Sequence, residues 1–168
     1  MKRIAGLSVA ALVVLALAAP AAGATGPVYV TPLSSAEEVP ANTSNARGTL
    51  TLMLSEDGTT LQYRLIVAKI VNVTAAHIHL APAGTNGGVV AFLYGNAPAG
   101  GGAVNGVIAT GTITAADLTG TLAGEPLSAL IAEIEAGNAY VNVHTNDGVA
   151  PTNTGPGDFP GGEIRGQL

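Results

Sequence analysis

The sequence predicts an all-β fold, a Greek-key β-sandwich with one short helix, and three observations carry that expectation. Several short runs alternate apolar and polar residues with strand period. Clusters of Gly, Pro, Asn and Asp separate the runs. Only one segment has helical spacing, so there is no strand–helix–strand alternation of the kind that builds a parallel sheet.

The chain opens MKRIAGLSVAALVVLALAAPAAGATG, with Lys2 and Arg3 ahead of an apolar run from Ile4 to Ala19 and a small-residue A-x-A site at Ala22 to Ala24. That order is expected of a secretory signal peptide over residues 1–24. The run is short and alanine-rich and lacks a basic stop-transfer flank, so a permanent transmembrane anchor is disfavoured, and no later segment approaches spanning length. Residues 25–168 are then expected to form a single domain, secreted or periplasmic. With no cysteine, neither a disulfide nor a lipoprotein site is available.

Within that segment VYVTPL is a first strand, with Pro32 expected to confine its end to a sheet edge. In RGTLTLMLSEDGTTLQYRLIV, Leu50, Leu52 and Leu54 share one face and Leu61, Tyr63, Leu65 and Val67 resume the pattern, a β-hairpin turned by Glu56-Asp57-Gly58. IVNVTAAHIHL and VVAFLYG are further strands around an APAGTNGG loop, and NAPAGGGAVNG is expected to be a flexible loop. VIATGTITAADL is a strand running into a turn. EPLSALIAEIEAGN is the helix: Leu127, Leu130, Ile131 and Ile134 fall at i, i+3, i+4 and i+7, Pro126 suits its first turn and Gly137 its end. AYVNVHT and GEIRGQL close the sheets on either side of a long proline-glycine loop over residues 146–161. Such an arrangement points to a sandwich of immunoglobulin-like or superoxide-dismutase-like type.

Charge excludes one class of partner. Four strong bases, Arg47, Arg64, Lys69 and Arg165, remain after the leader against all eleven acids, so the net charge there is 4 − 11 = −7. No basic face for nucleic acid can be assembled, and an anionic membrane surface would repel the chain.

The chemistry-bearing residues are the three histidines. His77 and His79 are two apart on a strand, so they share a face with Cα atoms roughly 6.5 to 7 Å apart. The same parity groups Tyr140, Asn142 and His144, and groups Glu163 with Arg165. If these strands are neighbours, the residues converge. Three imidazoles suffice as a first shell for copper or zinc, with Glu163 a candidate fourth ligand. The competing reading is a hydrogen-bonded polar cluster of neutral imidazoles in which Glu163 holds Arg165. Nucleophilic hydrolysis lacks support, there being no cysteine and no G-x-S-x-G elbow. Glu37 and Glu38, being adjacent, point apart on an extended segment and make a poor acid–base pair. Asp147 and Asp158 lack the spaced carboxylate series of a calcium loop.

Taken together, the E-V-P motif at Glu38 to Pro40, A-H-I-H, Y-V-N-V-H-T and the terminal G-E-I-R-G-Q-L resemble the CHRD domain, a module named after chordin and also found in secreted bacterial proteins. The resemblance runs from about Val28 to Leu168 and carries the family's signature onto Glu38, Pro40, His77, His79, Tyr140, Asn142, His144, Glu163 and Arg165. It implies an immunoglobulin-like β fold and a non-catalytic module that binds an extracellular protein or an envelope component. The stretch at residues 146–161 is longer than the family pattern expects. The H-x-H strand with a later histidine is also similar to the copper half of the copper–zinc superoxide dismutases, which makes an extracytoplasmic copper or zinc enzyme the alternative. That likeness lacks the disulfide, a fourth histidine and the zinc subsite. A sugar-binding platform would have to be built from Tyr29, Tyr63, Tyr94, Tyr140, Phe92 and Phe159, too few to make one readily.

Overall fold

A computed structural model describes residues 26–168; the expected leader, residues 1–24, lies outside them. Eight strands follow in the order β1 (Val28–Ser34), β2 (Arg47–Leu54), β3 (Leu61–Val71), β4 (Val73–Leu80), β5 (Gly88–Tyr94), β6 (Ala103–Ile113), β7 (Ala139–Thr145) and β8 (Ile164–Gln167), with the helix α1 (Leu127–Glu135) between β6 and β7. All pairings are antiparallel and run through one sheet in the order β5-β4-β7-β8-β1-β2-β3-β6. The all-β class with one α-helix among the described residues is as expected. The hydrogen-bond ladder does not divide into two sheets: it curls into a nearly closed one. Tyr63 of β3 bridges its open seam, donating its hydroxyl to the Leu93 carbonyl of β5 at 2.9 Å.

The β2–β3 hairpin forms in the expected register, from Arg47↔Ala68 to Leu54↔Leu61. Its turn is held by Asp57, whose carboxylate accepts from the Ser55 and Thr59 hydroxyls, while Gly58 supplies a φ of +70°. Alternation sends Leu50, Leu52, Leu61 and Leu65 into the core, where they meet Ile78, Val141, Val143 and Ile164 from the other half of the sheet. Leu127, Leu130, Ile131 and Ile134 add the apolar face of α1 to the same core. Gly137, at φ +71°, ends the helix by donating its amide to the Ile134 carbonyl.

Three expectations change. β1 is interior to the sheet, between β8 and β2, and Pro32 does not mark an edge. Proline is tolerated there because β1 and β8 meet in ladder register only at Ser34↔Arg165, so little is asked of its missing N–H. Second, IVNVTAAHIHL is split: Asn72, at φ +56°, turns the chain between β3 and β4 and fixes the corner through Oδ1, which accepts the Gly102 amide. Third, the expected flexible loop NAPAGGGAVNG contains the start of β6, because Ala103 and Val104 pair with Val71 and Ile70. Gly106, at φ +106°, lies where the register shifts, a backbone kink that glycine accommodates.

For the site the decisive feature is β7. Its residues Ala139, Val141 and Val143 face the core, yet Tyr140 and Asn142 on the opposite face are buried as well. Loops roof that second face: the connection ahead of β5 through Gly87, and the 146–161 segment through Pro160 and Gly161. A sheet that would otherwise offer one face to water therefore carries a covered polar layer.

Candidate metal centre

β4 and β7 are ladder neighbours with His77↔Asn142, His79↔Tyr140 and Ala75↔His144 in register. Parity therefore places all three imidazoles on the roofed face, and their nearest ligating nitrogens lie within 4.8 Å of one another. His77 Nδ1 is 3.1 Å from His144 Nε2. For comparison, two nitrogens each about 2.0 to 2.1 Å from a tetrahedral ion are about 3.3 Å apart. That pair already has first-shell spacing, and the third nitrogen needs to close by about 1.5 Å.

Backbone carbonyls set two of the tautomers. His79 Nδ1 donates to the Gly87 carbonyl at 2.9 Å and His144 Nδ1 to the Pro160 carbonyl at 2.8 Å. Each neutral ring is then left with a lone pair on Nε2, the arrangement that orients metal-ligating imidazoles elsewhere. His79 Nε2 is buried and has no hydrogen-bond partner. The rings pack closely: Tyr140 stacks on His79 at 4.8 Å with 9° between planes, and Phe92 meets His77 edge-on at 4.8 Å. The Arg165 guanidinium lies over the Tyr140 ring, 3.4 Å from its centroid.

Electrostatics keep the imidazoles uncharged. Burial, then repulsion from His144 and His79, pushes the His77 pKa down to about 4. Burial also lowers His79, against the upward pull of the Gly87 carbonyl and the Asn142 amide, and lowers His144 against that of the Pro160 carbonyl. Neutral rings with free lone pairs are the form a metal ion binds.

Two of the expected neighbours sit elsewhere in the network. Glu163, fully buried, spends its carboxylate on the Ser44 and Thr145 hydroxyls and the Gly157 amide, so it neither joins the nitrogen cluster nor holds Arg165. The reason is local: β8 begins at Ile164, and Glu163, one residue outside the ladder, turns its carboxylate toward Thr145. Arg165 donates instead to the Thr85 carbonyl at 2.9 Å and to Asn86 Oδ1 and Gln167 Oε1, pinning the roof loop. Asn142 does lie with the histidines, its Nδ2 donating to the Gly161 carbonyl and its Oδ1 left without a partner.

Sequence reasoning missed the two carbonyls, Gly87 and Pro160, since any residue supplies one. It also missed Ser44, and gave Glu38 only a place in the family signature and in a poor acid–base pair. Glu38 is buried, with its pKa pushed up to about 7 by desolvation against the partial counter-pull of Arg165 and the Val39 amide.

Comparison with known proteins gives one family. Its description is CHRD domain, and its match covers residues 29–168. No curated protein and no solved structure matches the chain. The matched segment takes in all eight strands except Val28 at the start of β1, together with the helix and all three histidines, and the chain belongs to the CHRD domain family.

Proposed function

We propose that this CHRD chain is an exported, non-catalytic module that binds an extracellular protein or envelope component, and that its three histidines clamp one transition-metal ion, copper or zinc. The observation that carries the metal reading is His79: Nδ1 is committed to a carbonyl while the lone pair of buried Nε2 meets no hydrogen-bond donor, the nearby Asn142 offering only an acceptor oxygen. A buried acceptor without a donor is costly, and an ion shared with His77 and His144 removes the cost. Affinity order favours copper over zinc at an all-imidazole site. Export is supported by the leader-like residues 1–24.

A metalloenzyme is the second reading. It is favoured by the partial exposure of His77 and His144, which leaves one side of the cluster open to a further ligand. The experiment is elemental analysis of protein purified without a histidine tag, repeated on His77→Ala and His144→Ala, with a superoxide dismutation assay on the loaded protein. One metal per chain, lost in both variants and without turnover, supports the clamp. Turnover that disappears with the metal supports the enzyme. Metal-free protein whose variants merely melt earlier reduces the cluster to a structural core.

A further inference from the structure

We propose that the outer face of the β2–β3 hairpin, with β6 beside it, binds a carboxylated polysaccharide. This binding rests on the reading of the chain as a module for an envelope component, to which it gives a chemical class, and neither the histidines nor a metal takes part. Leu50, Leu52, Leu61 and Leu65 point into the core, so alternation turns the side chains between them outward. The register sets these in rows: Met53, Gln62 and Thr112, then Thr51, Arg64 and Thr110, then Thr49 with Ile66, then Arg47 with Ala68. The first two rows line a cavity of about 470 Å³ and the last two one of about 120 Å³. Rows repeat about every 6.8 Å, so the cavities lie end to end in a trough roughly 20 Å long. Gln62, Arg64, Thr110 and Thr112 are exposed in it.

Charge is sorted toward this face. Of the four strong bases among the described residues, Arg165 is buried and holds the roof loop. The other three, Arg47, Arg64 and Lys69, are all exposed on β2 and β3. No Asp or Glu occurs in β1, β2, β3 or β6, so Arg64 has no carboxylate on its own face. The nearest acids along the chain lie beyond the strand ends, with Asp57 engaged by Ser55 and Thr59 and Asp117 by Thr114. A segment whose net charge is −7 thus gathers its exposed positive charge on one surface, where an anionic polymer is attracted.

Spacing selects a polymer of sparse charge. Three bases are too few for a nucleic acid, whose affinity comes from many phosphate contacts. The rows of Arg64 and Arg47 are about 13 Å apart, which suits isolated anionic groups along an extended chain. A guanidinium fork takes a planar carboxylate through two parallel hydrogen bonds. Around the two arginines stand the hydroxyls of Thr49, Thr51, Thr110 and Thr112 and the Gln62 amide, groups that both donate and accept and so match the hydroxyls of a sugar. An acidic peptide finds less to hold, because β2 and β3 are interior strands and offer no free backbone edge for strand addition. The Tyr63 hydroxyl reaches across the seam to Leu93, so its ring is no stacking platform here and recognition rests on charge and hydrogen bonds.

The test is NMR titration of the chelator-treated full chain with tetragalacturonate, following the amides of Thr51, Arg64, Thr110 and Thr112, with neutral galactotetraose and tetraglutamate as controls. Saturable shifts with tetragalacturonate alone are expected, weakened about tenfold or more in Arg64→Gln and severalfold in Arg47→Gln, and retained in His144→Ala. Folding of each variant is read from the dispersion of the same spectra. An equal or stronger response to tetraglutamate keeps the chain a binding module and overturns the polysaccharide. Absence of saturable shifts with either anion, an equal response to the neutral sugar, or unchanged binding in folded Arg64→Gln overturns the proposal.

Discussion

His77 Nδ1 and His144 Nε2 face each other at 3.1 Å. His144 keeps its proton on Nδ1 for the Pro160 carbonyl, so in the metal-free protein the hydrogen between the two rings belongs to His77 Nδ1. A metal ion bound through His77 Nδ1 must displace it. Long-range ¹H–¹⁵N spectra of the metal-free chain are predicted to show His77 as the Nδ1–H tautomer and to change to Nε2–H on addition of one equivalent of zinc. His79 and His144 are predicted to stay Nδ1–H throughout.

The carboxylate of Glu163 serves the fold. Removing it strands two hydroxyls and an amide in a fully buried site, so Glu163→Ala is expected to cost about 3 to 5 kcal/mol in urea unfolding. Glu163→Gln is predicted to keep the metal stoichiometry of the parent. Loss of metal from folded Glu163→Gln would return Glu163 to the ligand set.

Arg165 links the roof to the histidines. Its guanidinium covers Tyr140, which stacks on His79, and it holds the loop whose Gly87 carbonyl orients the same ring. Lysine cannot reproduce that fork of donors. Arg165→Lys is predicted to lose about 2 to 3 kcal/mol of stability, to speed amide exchange at Asn86 and Gly87, and to weaken metal binding by about tenfold or more.

Acid acts on the metal-free fold through two opposed groups. An unfolded chain protonates its histidines near the ordinary value of 6.5, whereas folded His77 resists until about 4, with His79 and His144 also shifted down. Stability from the histidines is therefore present above 6.5 and lost as pH falls toward 4. Glu38 works the other way: raised from 4.5 to about 7, it contributes stability at low pH that is lost as pH rises through that window. Urea midpoints between pH 8 and pH 4.5 are predicted to fall on acidification, less in His77→Gln and more steeply in Glu38→Gln.

The sequence pattern revealed what depends on side-chain periodicity and hid what depends on backbone placement. Period-two alternation located the Leu50–Leu65 hairpin, grouped His77 with His79 and His144 with Tyr140 and Asn142, and i, i+3, i+4, i+7 spacing found the helix; that the two histidine groups share one face follows from the β4–β7 pairing, which alternation alone does not give. Glu163 shows the limit of parity: one residue outside a ladder, its alternation with Arg165 no longer fixes where the carboxylate turns. The interior position of β1 follows from long-range pairing with β8, which no local signal at Pro32 reports. The carbonyls of Gly87 and Pro160 lie in loops whose composition announced a turn but not which oxygen would meet a ring.

Anomalous X-ray scattering from crystals of the tag-free protein, grown with one equivalent of copper, tests the three-imidazole clamp most directly. The account predicts one peak per chain, about 2.0 to 2.1 Å from His79 Nε2, His144 Nε2 and a nitrogen of His77. A protein that crystallises with the three rings unbridged, or with its metal held elsewhere, contradicts it.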